Sequence, residues 1–238
     1  MLLSFDGASW NPSPEKDPLR KRAPPKRDFQ YHIDDNVMYK ENETSRDFDP
    51  RFPRQENEKG FRGTVQGIVL LEDIEEGDAT LDCLKGAHMY HHEFCAKFSH
   101  MLKEPTKDWQ KLSNDMVEFY LEKDNVERVR LTAPKGSVFM FLSQTPHNVA
   151  QCVFPRNNPK DRFVAYVCYL PRERATEEQL QKKRKIFDQR CGSTHNPVKV
   201  SKNAAFPHTW VQKIHEEMKD VVIAAPNITP LGLRLAGF

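Results

Sequence analysis

The run Arg162-Phe163-Val164-Ala165-Tyr166-Val167-Cys168-Tyr169-Leu170 is rich in β-branched and aromatic residues and free of glycine and proline, so it reads as a β-strand. Shorter runs of the same character cover residues 64–71, 80–84, 126–131 and 137–142. The intervening segments carry turn compositions, such as Lys85-Gly86-Ala87-His88 and Thr132-Ala133-Pro134-Lys135-Gly136. The first two runs look like a hairpin pair. Many short strands with such turns point to a β-sandwich or jelly roll, where inward residues of separate strands converge on a central cavity.

Between residues 90 and 120 the apolar spacing turns helical. Phe94 and Phe98 stand at i and i+4, and Trp109, Leu112, Met116, Phe119 and Tyr120 follow along one stripe. Helices inserted here would pack on the outside of a sheet, their aromatics serving as core. Thr176-Glu177-Glu178-Gln179 is a capping box ahead of a charged helix to about Arg190, and Pro207 opens another reaching about Lys219. The lysines at 181–185 read as a solvated face. The expected fold is mainly β with helices (α+β): a double-stranded β-helix (jelly-roll, cupin-like) core with a helical insert and C-terminal helices. At 238 residues a single domain, 1–238, is the default, with 175–238 as its helical C-terminal extension. Residues 35–62 form a long, polar, patternless connection and read as a lid loop over a site.

Lysine plus arginine, 36, nearly balances aspartate plus glutamate, 34, and the net charge of +2 gives no argument for nucleic acid or an acidic membrane surface. The basic run 18–27 reads as a solvated loop. Met1-Leu2-Leu3-Ser4-Phe5-Asp6 breaks its apolar run too early for a signal peptide, and no stretch approaches the ~20 apolar residues of a membrane span. Five cysteines, an odd number without C-x-x-C spacing, favour a reducing compartment. The expectation is a soluble, cytoplasmic protein in which the N-x-T matches at Asn42 and Asn227 are chance and Ala236-Gly237-Phe238 is no peroxisomal address. Oligomeric state is left open.

The chemistry concentrates at His32-Ile33-Asp34. Alternation along that short strand puts Gln30, His32 and Asp34 on one face and Phe29, Tyr31 and Ile33 on the other. His147 directly follows the strand pair 126–142, and Arg162 begins the strongest strand. Two histidines and one carboxylate on one face of a metal leave the opposite face open, as non-haem iron oxygenases need. Arginine at the start of an inward strand could clasp a carboxylate with both prongs and would stay charged when buried. His88, His91 and His92 fall at a turn and helix start, where histidines usually face water, and are not read as a metal cluster. His195 is read as structural, and Cys191 near it is no nucleophilic dyad on spacing alone.

These residues, with their flanks, resemble the phytanoyl-CoA dioxygenase-like family of 2-oxoglutarate and Fe(II)-dependent oxygenases. The resemblance runs through Ser4-Phe5-Asp6-Gly7, Val65-Gln66-Gly67-Ile68-Val69, Leu84-Lys85-Gly86-Ala87-His88 and Pro134-Lys135-Gly136-Ser137. It continues through the Arg162-led strand ending at Pro171, Ala175-Thr176-Glu177-Glu178, Thr194-His195 with Pro197, and Leu231-Gly232-Leu233-Arg234-Leu235-Ala236-Gly237. It implies His32, Asp34 and His147 as iron ligands, Arg162 as the partner of the distal carboxylate of 2-oxoglutarate, and Gln66 as a cosubstrate or substrate contact. It also implies O2 as co-reactant, ascorbate as a reductant, and hydroxylation of an unactivated carbon on a small-molecule or lipid-like substrate, with release of succinate and CO2.

Two features depart from the family pattern. Phe141-Leu142-Ser143-Gln144 stands where the family has Trp-Asp-Ser-Arg before Thr-x-His, and only 31 residues precede His32. They motivate a second class of reading, a catalytically degenerate member that binds ligand or regulates. A third, a non-oxidative cupin-like isomerase or hydrolase, would prefer another divalent metal and ignore 2-oxoglutarate; the placement of Arg162 argues against it.

Overall fold

Antiparallel strand pairing dominates the computed structural model, which describes residues 1–13, 31–34, 64–101, 109–153, 160–189, 192–198 and 227–238. The basic run 18–27, the lid at 35–62 and the helix from Pro207 lie outside the described residues, as do Phe29 and Gln30. The chain divides into two compact units, Ala8–Tyr166 and Met1–Gly7 with Val167–Phe238.

The larger unit holds two antiparallel sheets with a few helices. In the first, β2 (Ala8–Asn11) pairs with the start of β10 (Arg162–Leu170), and β10 lies beside β4 (Val65–Leu70), which pairs with β8 (Val138–Leu142). The second runs in the order β6 (Gln110–Lys111), β3 (His32–Ile33), β9 (His147–Ala150), β5 (Thr80–Lys85), β7 (Glu127–Arg130). Ile68, Leu70, Phe139 and Val164 of the first sheet pack with Leu81 of the second in one buried cluster, so these two faces meet. A second cluster lies on the opposite face of the β3–β9–β5 sheet. There Tyr31, Ile33 and Leu84 pack against Phe94, Phe98, Met116, Phe119 and Tyr120 of helices α1 (His91–Phe98) and α2 (Asn114–Leu121).

Alternation thus separates two jobs along β3: His32 belongs to one face while Tyr31 and Ile33 anchor the helices on the other. Ser113 caps α2 by accepting the Met116 amide. Gly86, at φ +86°, makes the sharp exit from β5. A Cβ there would come within 2.3 Å of the Asn125 carbonyl oxygen, so glycine is required on two counts.

Three expectations need correction. The runs 64–71 and 80–84 form strands but no hairpin, because β4 pairs with β8 and β5 with β7 and β9 in the other sheet. The segment between them is tied down separately, by the bridge of Ile74 to Ala133. Trp109 does not continue the helical stripe: it is 48% exposed and sits just before β6. His91 does not face water but is buried beside Cys95 and Phe94, because α1 turns that side onto the sheet.

In the smaller unit, β1 (Leu2–Leu3) pairs with Tyr169 and Leu170 at the end of β10. The Ser4 hydroxyl accepts the Cys168 amide, and Phe5 packs on Phe187 of α3 (Glu177–Asp188). The α3 residue Arg184 donates to the Gly237 carbonyl, next to α4 (Pro230–Leu235). The supposed solvated face of α3 is interrupted here. Lys183 is fully buried, its ammonium on the Phe5 ring at 3.8 Å and donating to the Leu3 carbonyl.

Burial pushes the Lys183 ammonium down to about 8. The native protein releases this proton near pH 8, whereas an unfolded chain holds it to about pH 10.4. Between those values the unfolded chain binds more protons, so stability rises with pH. The urea midpoint of the wild type, compared with Lys183→Met, is expected to climb from pH 7.5 to 10 and then level off. A difference that stays flat over that range contradicts the assignment. No helix among the described residues is long and apolar enough to cross a membrane.

Candidate metal centre

His32 and His147 are direct cross-strand partners on β3 and β9, so their side chains leave the sheet on the same face, ring centroids 4.3 Å apart. Asp34 follows two residues after His32, where the strand has ended, and its amide donates to the Ser143 carbonyl. That bond turns its carboxylate back toward the histidines. Asp34 Oδ2 stands 3.3 Å from His147 Nε2 and 3.8 Å from His32 Nε2. The three residues can each offer a ligand atom within 4.8 Å of the others, the one such group among the described residues.

The tautomer of His147 follows from its second nitrogen. Nδ1 lies 2.8 Å from the Thr145 carbonyl, which can only accept, so Nδ1 carries its hydrogen and Nε2 faces Asp34. Thr145 is fixed for this by a tight turn, its amide donating to Leu142. In a neutral ring Nε2 presents a lone pair to a carboxylate oxygen, a repulsive pairing that a cation between them would reverse. Ligand atoms set at right angles about 2.1 Å from one ion lie roughly 3 Å apart. The 3.3 Å edge is close to this; the 3.8 Å edge is somewhat wider.

Gln66 on β4 donates from Nε2 to the same Asp34 oxygen at 2.9 Å and is buried. It reaches across from the opposite sheet with its register partner Phe141, whose ring lies 4.7 Å from that of His147. The structure therefore places Gln66 on the carboxylate. Trp109, which the sequence pattern assigned to a helix stripe, stands 5.9 Å from the His32 ring on its exposed side. The pairing of β6 with β3 brings it there, and no periodicity in the sequence signals it.

Cys83 is the cross-strand partner of His147 on its other side and would be the obvious soft ligand. It is not among the residues whose ligand atoms converge there; burial, with the neighbouring Asp82 charge, pushes its thiol up to about 11, and it packs as an apolar group. The donors left are two imidazoles and one carboxylate, a set that suits Fe(II).

Arg162 lies on the core side of β10, two residues from the core residue Val164, and is 1% exposed. Nη1 donates to Asn11 Oδ1 at 3.3 Å and to the Tyr166 hydroxyl at 3.4 Å. Nε and Nη2 are buried and find no partner among the described residues. These two nitrogens form one edge of the guanidinium, the edge Arg128 uses to grip Asp82 elsewhere in this protein. A buried charge with a whole donor edge unused is costly unless an acceptor comes from outside. A carboxylate has the matching shape.

No family model matches the chain, and no curated protein matches it. Among solved structures it is similar to EctD from S. alaskensis in its apo form, with 14% identity and a TM-score of 0.38 over 72% of this chain and 48% of that one. The chain thus spans about half the length of that structure.

Proposed function

We propose that the protein is a non-haem Fe(II)- and 2-oxoglutarate-dependent dioxygenase of the phytanoyl-CoA dioxygenase-like type, built on a double-stranded β-helix. It would hydroxylate an unactivated carbon of a small-molecule or lipid-like substrate, consuming O2 and releasing succinate and CO2. The observation that carries this reading is the conjunction of the His32, Asp34 and His147 ligand set with the unused buried edge of Arg162. A metal site alone fits many chemistries. A metal site together with a buried arginine whose Nε and Nη2 find no acceptor among the described residues fits an acidic cosubstrate.

Bound at this site, iron would supply the oxygen chemistry that side chains lack. The chain's own residues do the rest. His32 and His147 would offer neutral nitrogens and Asp34 one oxygen, leaving coordination positions for ligands from outside. Gln66 would steady the Asp34 carboxylate through the hydrogen bond it already makes, at the edge of the cosubstrate's space. Arg162 would hold a carboxylate of 2-oxoglutarate through Nε and Nη2 and so fix its orientation. Phe139, Phe141 and Val164 line the same inner face and would keep water from it.

The test is binding followed by turnover. Under anaerobic conditions Fe(II) with 2-oxoglutarate should raise Tm and give a visible charge-transfer band. On admission of oxygen, with ascorbate present, succinate should form. Absence of both the thermal shift and the band overturns the reading. Binding without succinate across a substrate panel favours the ligand-binding alternative, which the loss of the charged pair before His147 motivates.

A further inference from the structure

The two histidine strands share a tether on the face away from the metal site. Asp82 of β5 is fully buried. One of its carboxylate oxygens accepts the Tyr31 hydroxyl at 2.5 Å and Arg128 Nε at 3.2 Å. The other accepts Arg128 Nη2 at 2.6 Å and Asn148 Nδ2 at 3.4 Å. Tyr31 immediately precedes His32, and Asn148 immediately follows His147. Register explains the convergence: Cys83 faces His147 and Asp82 faces Asn148, so one face of this part of the sheet carries the ligands and the other carries the tether.

We propose that Asp82, through Tyr31 and Asn148, is a positioning residue that sets the separation of His32 and His147. The inference rests on the metal centre proposed above. β3 is only two residues long and meets β9 through the single pair His32 and His147, so its ladder alone holds register weakly. A slip of one residue would turn His32 onto the wrong face and Tyr31 inward. The Tyr31 hydroxyl bond resists that slip. Arg128 neutralises the carboxylate, which would otherwise be an unpaired buried charge.

Tyr31→Phe removes only the hydroxyl, and Asp82→Asn weakens the whole cluster. Thr80→Val is the control: it deletes a part-buried side-chain hydrogen bond from the same strand, Thr80 Oγ1 to the Leu131 carbonyl, whose acceptor lies outside both histidine strands. Fe(II) affinity is expected to fall about tenfold in Tyr31→Phe and more in Asp82→Asn, but to hold in Thr80→Val, in line with outer-sphere partners of metal ligands. Hydrogen exchange in the metal-free protein should accelerate at the amides of residues 32–34 in Tyr31→Phe and in Asp82→Asn, but not in Thr80→Val. Unchanged exchange there, or an equal loss of affinity in all three variants, overturns the tether. If the wild type binds no Fe(II), the metal reading falls while the exchange comparison still decides the tether.

Discussion

His147→Ala is expected to abolish succinate formation and to weaken Fe(II) binding by more than the roughly 10–100-fold typical of losing an outer-sphere partner. The size follows from the geometry: Nε2 of His147 makes the shorter of the two edges to the Asp34 carboxylate, 3.3 Å against 3.8 Å from His32. Its ring also bridges two elements, bonded to the Thr145 carbonyl and packed on Phe141 of the opposite sheet. Alanine would leave the Thr145 carbonyl without its donor, at a cost of about 1–3 kcal/mol in stability. His147→Gln keeps bulk and a polar end near that carbonyl and serves as the fold control. Metal titration and succinate assay on both variants, with far-UV circular dichroism, separate lost chemistry from lost structure. Turnover surviving in His147→Gln at wild-type level would remove His147 from the ligand set.

The sequence showed the ligands better than it showed their neighbours. His32 and Asp34 two apart on a strand announce a shared direction by alternation, and the apolar Tyr31 and Ile33 between and before them announce the opposite face. His147 carries no such local signal. It stands beside His32 because β3 and β9 pair across more than a hundred residues, and pairing partners follow from topology. The same gap accounts for the hairpin expected between residues 64 and 84. Local turn composition joins those strands in sequence, yet the core shared by Ile68, Leu70 and Leu81 forms only if β4 and β5 enter opposite sheets. Gln66 and Trp109 owe their positions near the ligands to that long-range arrangement.

Lys183 failed for a different reason. A run of lysines on a helix is ordinarily solvated, and nothing in residues 181–185 distinguishes one of them. Its burial depends on Leu3, Phe5 and Gly237, drawn from the two ends of the sequence. The terminal motifs Ser4-Phe5-Asp6-Gly7 and Leu231 to Gly237 thereby gain a physical reason. They build one unit around α3, where Gly237 at φ +103° passes close to the Lys183 stem.

Arg162→Met is expected to separate cosubstrate binding from every other property. Truncating one partner of a buried charged pair costs about 2–5 kcal/mol, so 2-oxoglutarate affinity should fall roughly 30-fold to several thousand-fold. Wild type at a hundred times Kd should gain about 2.7 kcal/mol from the ligand, or roughly 5–10 °C in Tm for a chain of this size, and the variant at the same concentration about 0.9 kcal/mol at most. The free protein should respond in the opposite sense. Among the described residues the buried Arg162 is held through Nη1 by Asn11 and Tyr166, with Nε and Nη2 finding no partner, and methionine removes that donor edge while keeping most of the volume. Without ligand, the variant should therefore be as stable as wild type or more so. Arg162→Lys keeps the charge but not the fork, and should recover part of the affinity. Iron binding should be unchanged in both variants, because Arg162 belongs to neither histidine strand nor to Asp34. Loss of stability in the ligand-free Arg162→Met protein, together with a retained 2-oxoglutarate shift, would mean that the arginine is a structural ion and that the cosubstrate is held elsewhere.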